Sequence, residues 1–189
     1  MFKTIAYADI FDYPLTASEV NLWLIKGDSL APVKKGYYYL PGREGLIALR
    51  RHRERFSQLK WPMAYRTAKI LSFIPSVKLV AVTGALAMNN ADKNDDIDLM
   101  IITAKNRLWL TRLLASILLF SHLRHGQKIY NKLCLNLWLD ETNLAIKQRN
   151  LYISHEICQA RSVLDRDGTY QKFIKANLWY KQFLPNWKM

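Results

Sequence analysis

The chain has 189 residues, half of them hydrophobic and 12% aromatic, a composition that builds a packed core and excludes a disordered tail. Its formal charge of +13 and pI near 9.8 favour a polyanionic partner, a nucleic acid or a phosphorylated substrate. Basic residues outnumber acidic ones throughout, so solvated surface also accounts for much of the excess. Cys134 and Cys158 stand alone without metal-ligand spacing, which points to reduced thiols and a cytoplasmic location. Asp9 and Asp12 interrupt the apolar start, so no signal peptide is expected. Leu113 to Leu123, bounded by Arg112 and Arg124, is far short of the roughly 20 residues of a membrane span. It reads as a buried core helix, and no membrane partner is expected.

Met1 to Phe11 has helical spacing of Ile5 and Ala8, and Pro14 ends it. Thr16-Ala17-Ser18-Glu19 is a capping box that starts a second helix, Ala17 to Ile25, with Val20, Trp23 and Leu24 inward. After Lys34-Lys35-Gly36, the run Tyr37 to Leu40 reads as a strand. Helix, Pro-Leu-Thr, helix and a Gly-aromatic strand together resemble the start of a winged-helix domain. The helix that would enter a DNA groove has only Asp28 to Val33 available, broken by Pro32. A small helical module packed on the rest is therefore favoured over sequence-specific DNA binding.

Glu44 to Leu59 is a basic helix with Leu46, Leu49, Arg53 and Phe56 on one broad face and Arg50, Arg51, Arg55 and Lys60 elsewhere. Such a charge run is a solvated face or a phosphate-contact surface, and His52 is read as a surface residue. Pro62 starts a further helix to about Phe73, and Pro75 ends it.

The stretch Val77 to Thr103 carries the chemistry. Val77 to Val82 is an apolar, largely β-branched run, followed by a turn at Thr83-Gly84-Ala85, a short helix-compatible piece and a polar loop from Ala91 to Asp95. A second strand opens on Asp96-Ile97-Asp98. Side chains alternate along a strand, so Asp96 and Asp98 share a face, and a hard divalent cation is the usual way to neutralise such a pair. Gly84 lets a ligand approach the backbone, where helix-start amides favour an anionic group such as phosphate.

Strand, Gly84-Ala85, an intervening loop and Asp96-Ile97-Asp98 resemble the signature of the nucleotidyltransferase superfamily, the DNA polymerase beta-like fold. The resemblance covers about Val77 to Leu139. It implies an α/β (α+β) core with a small mixed sheet flanked by helices, Mg²⁺ held by Asp96 and Asp98, and a nucleoside triphosphate, ATP by preference. Thr83, Gly84 and Ala85 would cradle its phosphates. In the superfamily a third carboxylate stands on the next strand, here Lys132 to Leu139, where Leu133, Leu135, Leu137 and Leu139 are expected on one face and Cys134, Asn136 and Trp138 on the other. Asn136 takes the expected position; it can lend an oxygen to a metal but cannot act as a base. Ala85 also departs from the family's usual Ser or Gly.

Beyond Thr103, Lys105-Asn106-Arg107 is a basic turn where Lys105 and Arg107 meet a triphosphate or Asn106 caps a helix. Arg124, His125 and Lys128 form a basic connection to the third strand. Asn143 to Met189 reads as helices, Leu151 to Ala160 and Thr169 to Trp179, with an aromatic end that packs back. His155-Glu156 lacks a second histidine at metal spacing, so it is not a zinc motif, and His155 is read as a satisfied histidine. Three units result: a helical module to residue 60, a nucleotidyltransferase-like core over 61–142 and a C-terminal helical segment. The expected activity is Mg²⁺-dependent transfer of a nucleoside monophosphate to a hydroxyl acceptor, a nucleic acid among the candidates. The alternatives are a catalytically degenerate nucleotide-binding or regulatory module, and a nucleic-acid-binding protein.

Overall fold

The computed structural model describes residues 1–30, 36–124 and 130–189. Its centre is β3 (Val77–Val82), in which every residue but Lys78 is buried. It pairs antiparallel with β4 (Ile97–Thr103) on one side and with β6 (Arg161–Asp165) on the other. β4 in turn pairs parallel with β5 (Leu133–Asp140), so the mixed sheet runs β5-β4-β3-β6. Helices cover both faces of the two middle strands, which is why these read as continuous apolar runs rather than alternating ones. α3 (Leu46–Leu71) packs Ala64, Ala68 and Leu71 against Val80, Val82, Leu99 and Ile101. α5 (Leu108–Leu118) joins the same layer through Ala115. On the opposite face Leu79, Ala81, Met100 and Ile102 meet residues from four helices. These are Ile5 of α1 (Phe2–Asp9), Val20 of α2 (Ala17–Leu22), Ile157 of α6 (Leu151–Gln159) and Phe173 of α7 (Thr169–Ala176). The α+β class expected from the sequence is the class observed.

The Thr16 capping box forms: Thr16 N donates to Glu19 Oε2 at 2.8 Å, and Glu19 N donates to Thr16 Oγ1 at 3.3 Å. β1 (Leu15–Thr16) and β2 (Tyr37–Tyr38) make a two-stranded ladder. No helix lies between α2 and α3 among the described residues; Lys34, Lys35 and the Pro32 segment lie outside them. The aromatic C-terminus packs back as expected, with Leu184 and Trp187 in the core shared with the N-terminal helices. None of the helices is long and apolar enough to cross a membrane among the described residues.

Five expectations change. α3 is one helix of 26 residues that runs through Pro62 and across the boundary placed near residue 60. Proline in a helix interior costs about 3 kcal/mol, offset here by contacts on both sides, including Ser57 Oγ, which accepts from Ala91 N at 3.0 Å. The charged residues of that helix are not all on a solvated face: Arg50 is 7% and Lys60 4% exposed. Arg50 donates to both Glu19 oxygens at 2.7 and 2.8 Å, to Glu54 at 2.9 Å and to Pro14 O, so its buried charge is fully paired. Counting apolar residues cannot reveal such a position.

α5 is not buried. Only Thr111 and Ala115 face inward, while Trp109, Leu113 and Ile117 are each more than half exposed. A helix apolar all round does not reveal which side meets the sheet, and the small residues do so here, with Thr111 Oγ1 bonded to Ser76 at 2.6 Å. The C-terminal segment is not wholly helical, because β6 adds an edge strand. In β5 the register shifts between Leu99↔Leu135 and Met100↔Leu137, with Asn136 as the extra residue. One inserted residue reverses the alternation. Leu133 and Leu135 therefore pack with the α3 layer, and Leu137 and Leu139 with the α6 layer.

Candidate metal and nucleotide site

The β3–β4 ladder continues one step past its last paired residues, with Thr83 N donating to Asp98 O at 3.0 Å. This bond carries Gly84, the first residue of the short α4 (Gly84–Ala87), onto the Asp98 side chain. Gly84 has φ +61, and a Cβ there would lie 2.6 Å from Asp98 Oδ2. Only glycine admits both that backbone and that approach. Asp96, just ahead of β4, and Asp98 lie on one face, and across the parallel ladder Asp98 faces Cys134. One donor atom from each of Asp96, Asp98 and Cys134 lies within 4.8 Å of the others, a group that could hold a metal ion.

Burial, and next the charge of Asp96, hold the Asp98 carboxyl above its usual range. The Cys134 thiol donates to Asp98, and burial beside this acid pushes it up to about 11. It therefore stays protonated near neutral pH in the metal-free protein, and a metal that took it as a ligand would have to displace that proton. The two carboxylates suit a hard divalent cation that completes its shell with water and phosphate oxygens, as Mg²⁺ does; the thiol does not add to that set. Arg124 donates to Asp96 Oδ2 at 2.9 Å and is 47% exposed, a cation already facing the pair from the solvent side.

Of the residues singled out in the sequence, Asp96, Asp98, Thr83, Gly84 and Ala85 come together. Thr83 is buried with its hydroxyl unpartnered, and Ala85 is exposed at the mouth of the site. Asn136, in the bulge, is exposed, and Cys134 takes the place beside Asp98. Lys105 and Arg107 do not reach the acids. They follow the far end of β4, roughly 20 Å from Asp98 at strand rise. Their turn is tied to Asp140 and Glu141 instead: Lys105 N donates to Glu141 and Asn106 N to Asp140 at 2.7 Å. His125 and Lys128 lie outside the described residues.

Three contributors were not found by sequence reasoning. Lys60 donates to Lys93 O at 3.1 Å, Asp95 O at 2.7 Å and Asn131 Oδ1 at 2.8 Å, fixing the loop that delivers Asp96. Glu156 of α6 is held above the usual carboxylate range by burial and by the charge of Asp98. His155, beside it, is 5% exposed and has no partner at Nε2. Both line a cavity that opens against Gly84 and Ala85. Buried helix histidines and acids occur widely without function, and only packing shows Glu156 within reach of the Asp98 charge and His155 next to it in the cavity wall. No protein-family model matches the chain, and no curated protein matches it.

Proposed function

We propose that the protein is a nucleotidyltransferase that moves a nucleoside monophosphate from a nucleoside triphosphate, ATP by preference, to a hydroxyl acceptor and releases pyrophosphate. The observation that supports this reading best is the approach of Gly84 to Asp98, which sets a glycine turn against two carboxylates on one strand face. Asp96 and Asp98 would hold Mg²⁺, which would supply positive charge against the negative charge that develops in phosphoryl transfer. The amides of Gly84 and Ala85 face the same phosphates, and Arg124 leaves Asp96 to meet them. Glu156, whose proton affinity is raised by burial and by the charge of Asp98, would accept the acceptor hydroxyl's proton. Asp96→Ala combined with Asp98→Ala abolishes label transfer from α-labelled ATP in a folded protein; undiminished transfer rejects the site.

A second reading rests on Cys134. A neutral thiol beside Asp98 adds no third negative charge, which suits a module that binds a nucleotide without turning it over. Calorimetry with Mg²⁺ and ATP distinguishes the two: binding without product over long incubation supports the module.

A further inference from the structure

Between α1, α4 and α6 lies a cavity of about 200 Å³. A dry apolar cavity of about 150 Å³ is known to hold benzene. This one therefore takes a single ring or a fused pair of rings, but not a whole nucleotide. Its walls are aromatic, with Tyr7, Phe11, Trp23 and Tyr152 among them, and no lysine or arginine among the described residues lines it. The His155 ring stacks on Tyr7 at 4.3 Å between centroids and 17° between planes, and Trp23 lies 5.5 Å away. A phosphate placed there would meet Glu156, while Arg53, which reaches the lining residues Phe11 and Asn90, is held by their oxygens at 3.2 and 3.4 Å, so the space favours a neutral occupant.

His155 is the second, independent observation. Its Nδ1 is engaged by the Gln159 amide at 3.2 Å, while Nε2 is buried without a partner. His155 lines the cavity, and an unpartnered buried polar atom of this kind costs about 1–3 kcal/mol, a cost that a ligand's hydrogen-bonding edge recovers where it reaches Nε2. Burial pushes the imidazole down to about 4, so it is neutral and offers one hydrogen bond rather than a charge.

We propose that this cavity binds a neutral planar ring of nucleobase size that carries a hydrogen-bonding edge, with His155 Nε2 as its polar anchor. The proposal stands apart from nucleotide transfer. Where transfer also holds, Gly84 and Ala85 are shared walls, and the ring is the base of the triphosphate or a ring of the acceptor.

The test uses the full chain labelled with ¹³C at alanine and methionine methyls, since Ala8, Ala85 and Met88 line the cavity. Adenine should shift these three methyls saturably, and benzene, which lacks a polar edge, should bind at least tenfold more weakly. His155→Phe keeps a flat ring and should bring that preference to within about twofold, while Ala85→Trp, placed at an exposed position, should abolish the adenine shifts. Absence of saturable shifts with adenine in the unsubstituted chain overturns the proposal, as does an undiminished preference in His155→Phe. If Mg²⁺ with ATP displaces adenine, the cavity holds the base; if both bind together, it holds a ring of the acceptor. Ring binding in a chain that transfers no nucleotide defeats the transfer reading alone. Transfer without ring binding defeats this one alone.

Discussion

Gly84→Ala tests the contact on which the site rests, and Gly168 supplies its control. Both glycines have left-handed backbones, with φ +61 and +64, but a Cβ at Gly168 meets nothing within 4 Å. Alanine in that conformation costs about 1–2 kcal/mol at either position, and the loss of glycine's unfolded-state freedom applies equally to both. At Gly84 the new methyl would also lie 2.6 Å from Asp98 Oδ2, well inside contact distance. The carboxylate must then turn away, at about 0.5–1.5 kcal/mol for leaving its rotamer. It also gives up the Cys134 hydrogen bond, worth about another 0.5–1.5 kcal/mol.

Gly84→Ala is thus expected to destabilise the fold by about 2–5 kcal/mol, against about 1–2 kcal/mol for Gly168→Ala. For a chain of this size each kcal/mol moves Tm by about 2–4 °C, so urea and thermal unfolding resolve the difference. In an Asp98→Ala background the obstruction is gone, and the cost of Gly84→Ala should fall to that of Gly168→Ala. Equal costs for the two glycine variants, or a Gly84 cost unchanged by removing Asp98, would refute the reasoning.

Asp98→Asn should raise Tm in metal-free protein at neutral pH and abolish any rise on adding Mg²⁺. The sign follows from the raised pKa: the folded state binds the Asp98 proton more tightly, so ionisation lowers stability as pH climbs from about 4 through the folded value. An unchanged or lower Tm contradicts it. His155 works in the other direction. Its pKa falls from about 6.5 when unfolded to about 4 when folded. Its stabilisation is thus complete above pH 6.5 and lost as pH falls through about 4, a change on the order of 3 kcal/mol. The difference in unfolding free energy between wild type and His155→Phe should follow that window, and a pH-independent difference counts against it. Lys60→Met leaves Lys93 O and Asp95 O without their donor and should cost on the order of 3 kcal/mol. It should also speed hydrogen exchange over residues 92–96, and unchanged exchange there would show that Lys60 does not fix the loop.

The elements legible in the sequence are those whose burial pattern is set within a few residues. β3 and β4 are apolar on both faces because helices cover both, and a run such as Leu79-Val80-Ala81-Val82 shows that directly. The Thr16 capping box is likewise complete within four residues. β6 was hidden because it is an edge strand whose Arg161, Ser162 and Asp165 are exposed, so neither alternation nor an apolar run marks it. β5 was recognised as a strand, but its faces were misassigned beyond Asn136. The leucines alternate perfectly in sequence, and only the pairing to β4 reveals the extra residue. Pro62 reads as a helix start because local rules weigh a lost hydrogen bond and not the tertiary contacts along α3, which continues past it.

The site divides along the same line. Gly84, Asp96 and Asp98 belong to one hairpin, so spacing along the chain carries their proximity. Lys105 and Arg107 were drawn to the acids because they flank the same strand, yet a strand has two ends and composition does not say which one bears the site. Cys134 reaches Asp98 only through a parallel pairing whose register is set by the core of β4 and β5. Glu156 and His155 arrive on a helix that crosses the sheet face. These later arrivals alter the chemistry as well as the inventory. The local hairpin supplies two carboxylates and a glycine turn, the parts that the proposed cation and phosphate site calls for. In that proposal the loss of a proton by an attacking hydroxyl depends on a group brought in by packing, and there the chain offers a protonated thiol on one side and the half-buried carboxyl of Glu156 on the other. Of the two only Glu156 can take up a proton, so Glu156→Gln separates binding from turnover: Mg²⁺ and ATP should still bind while transfer falls.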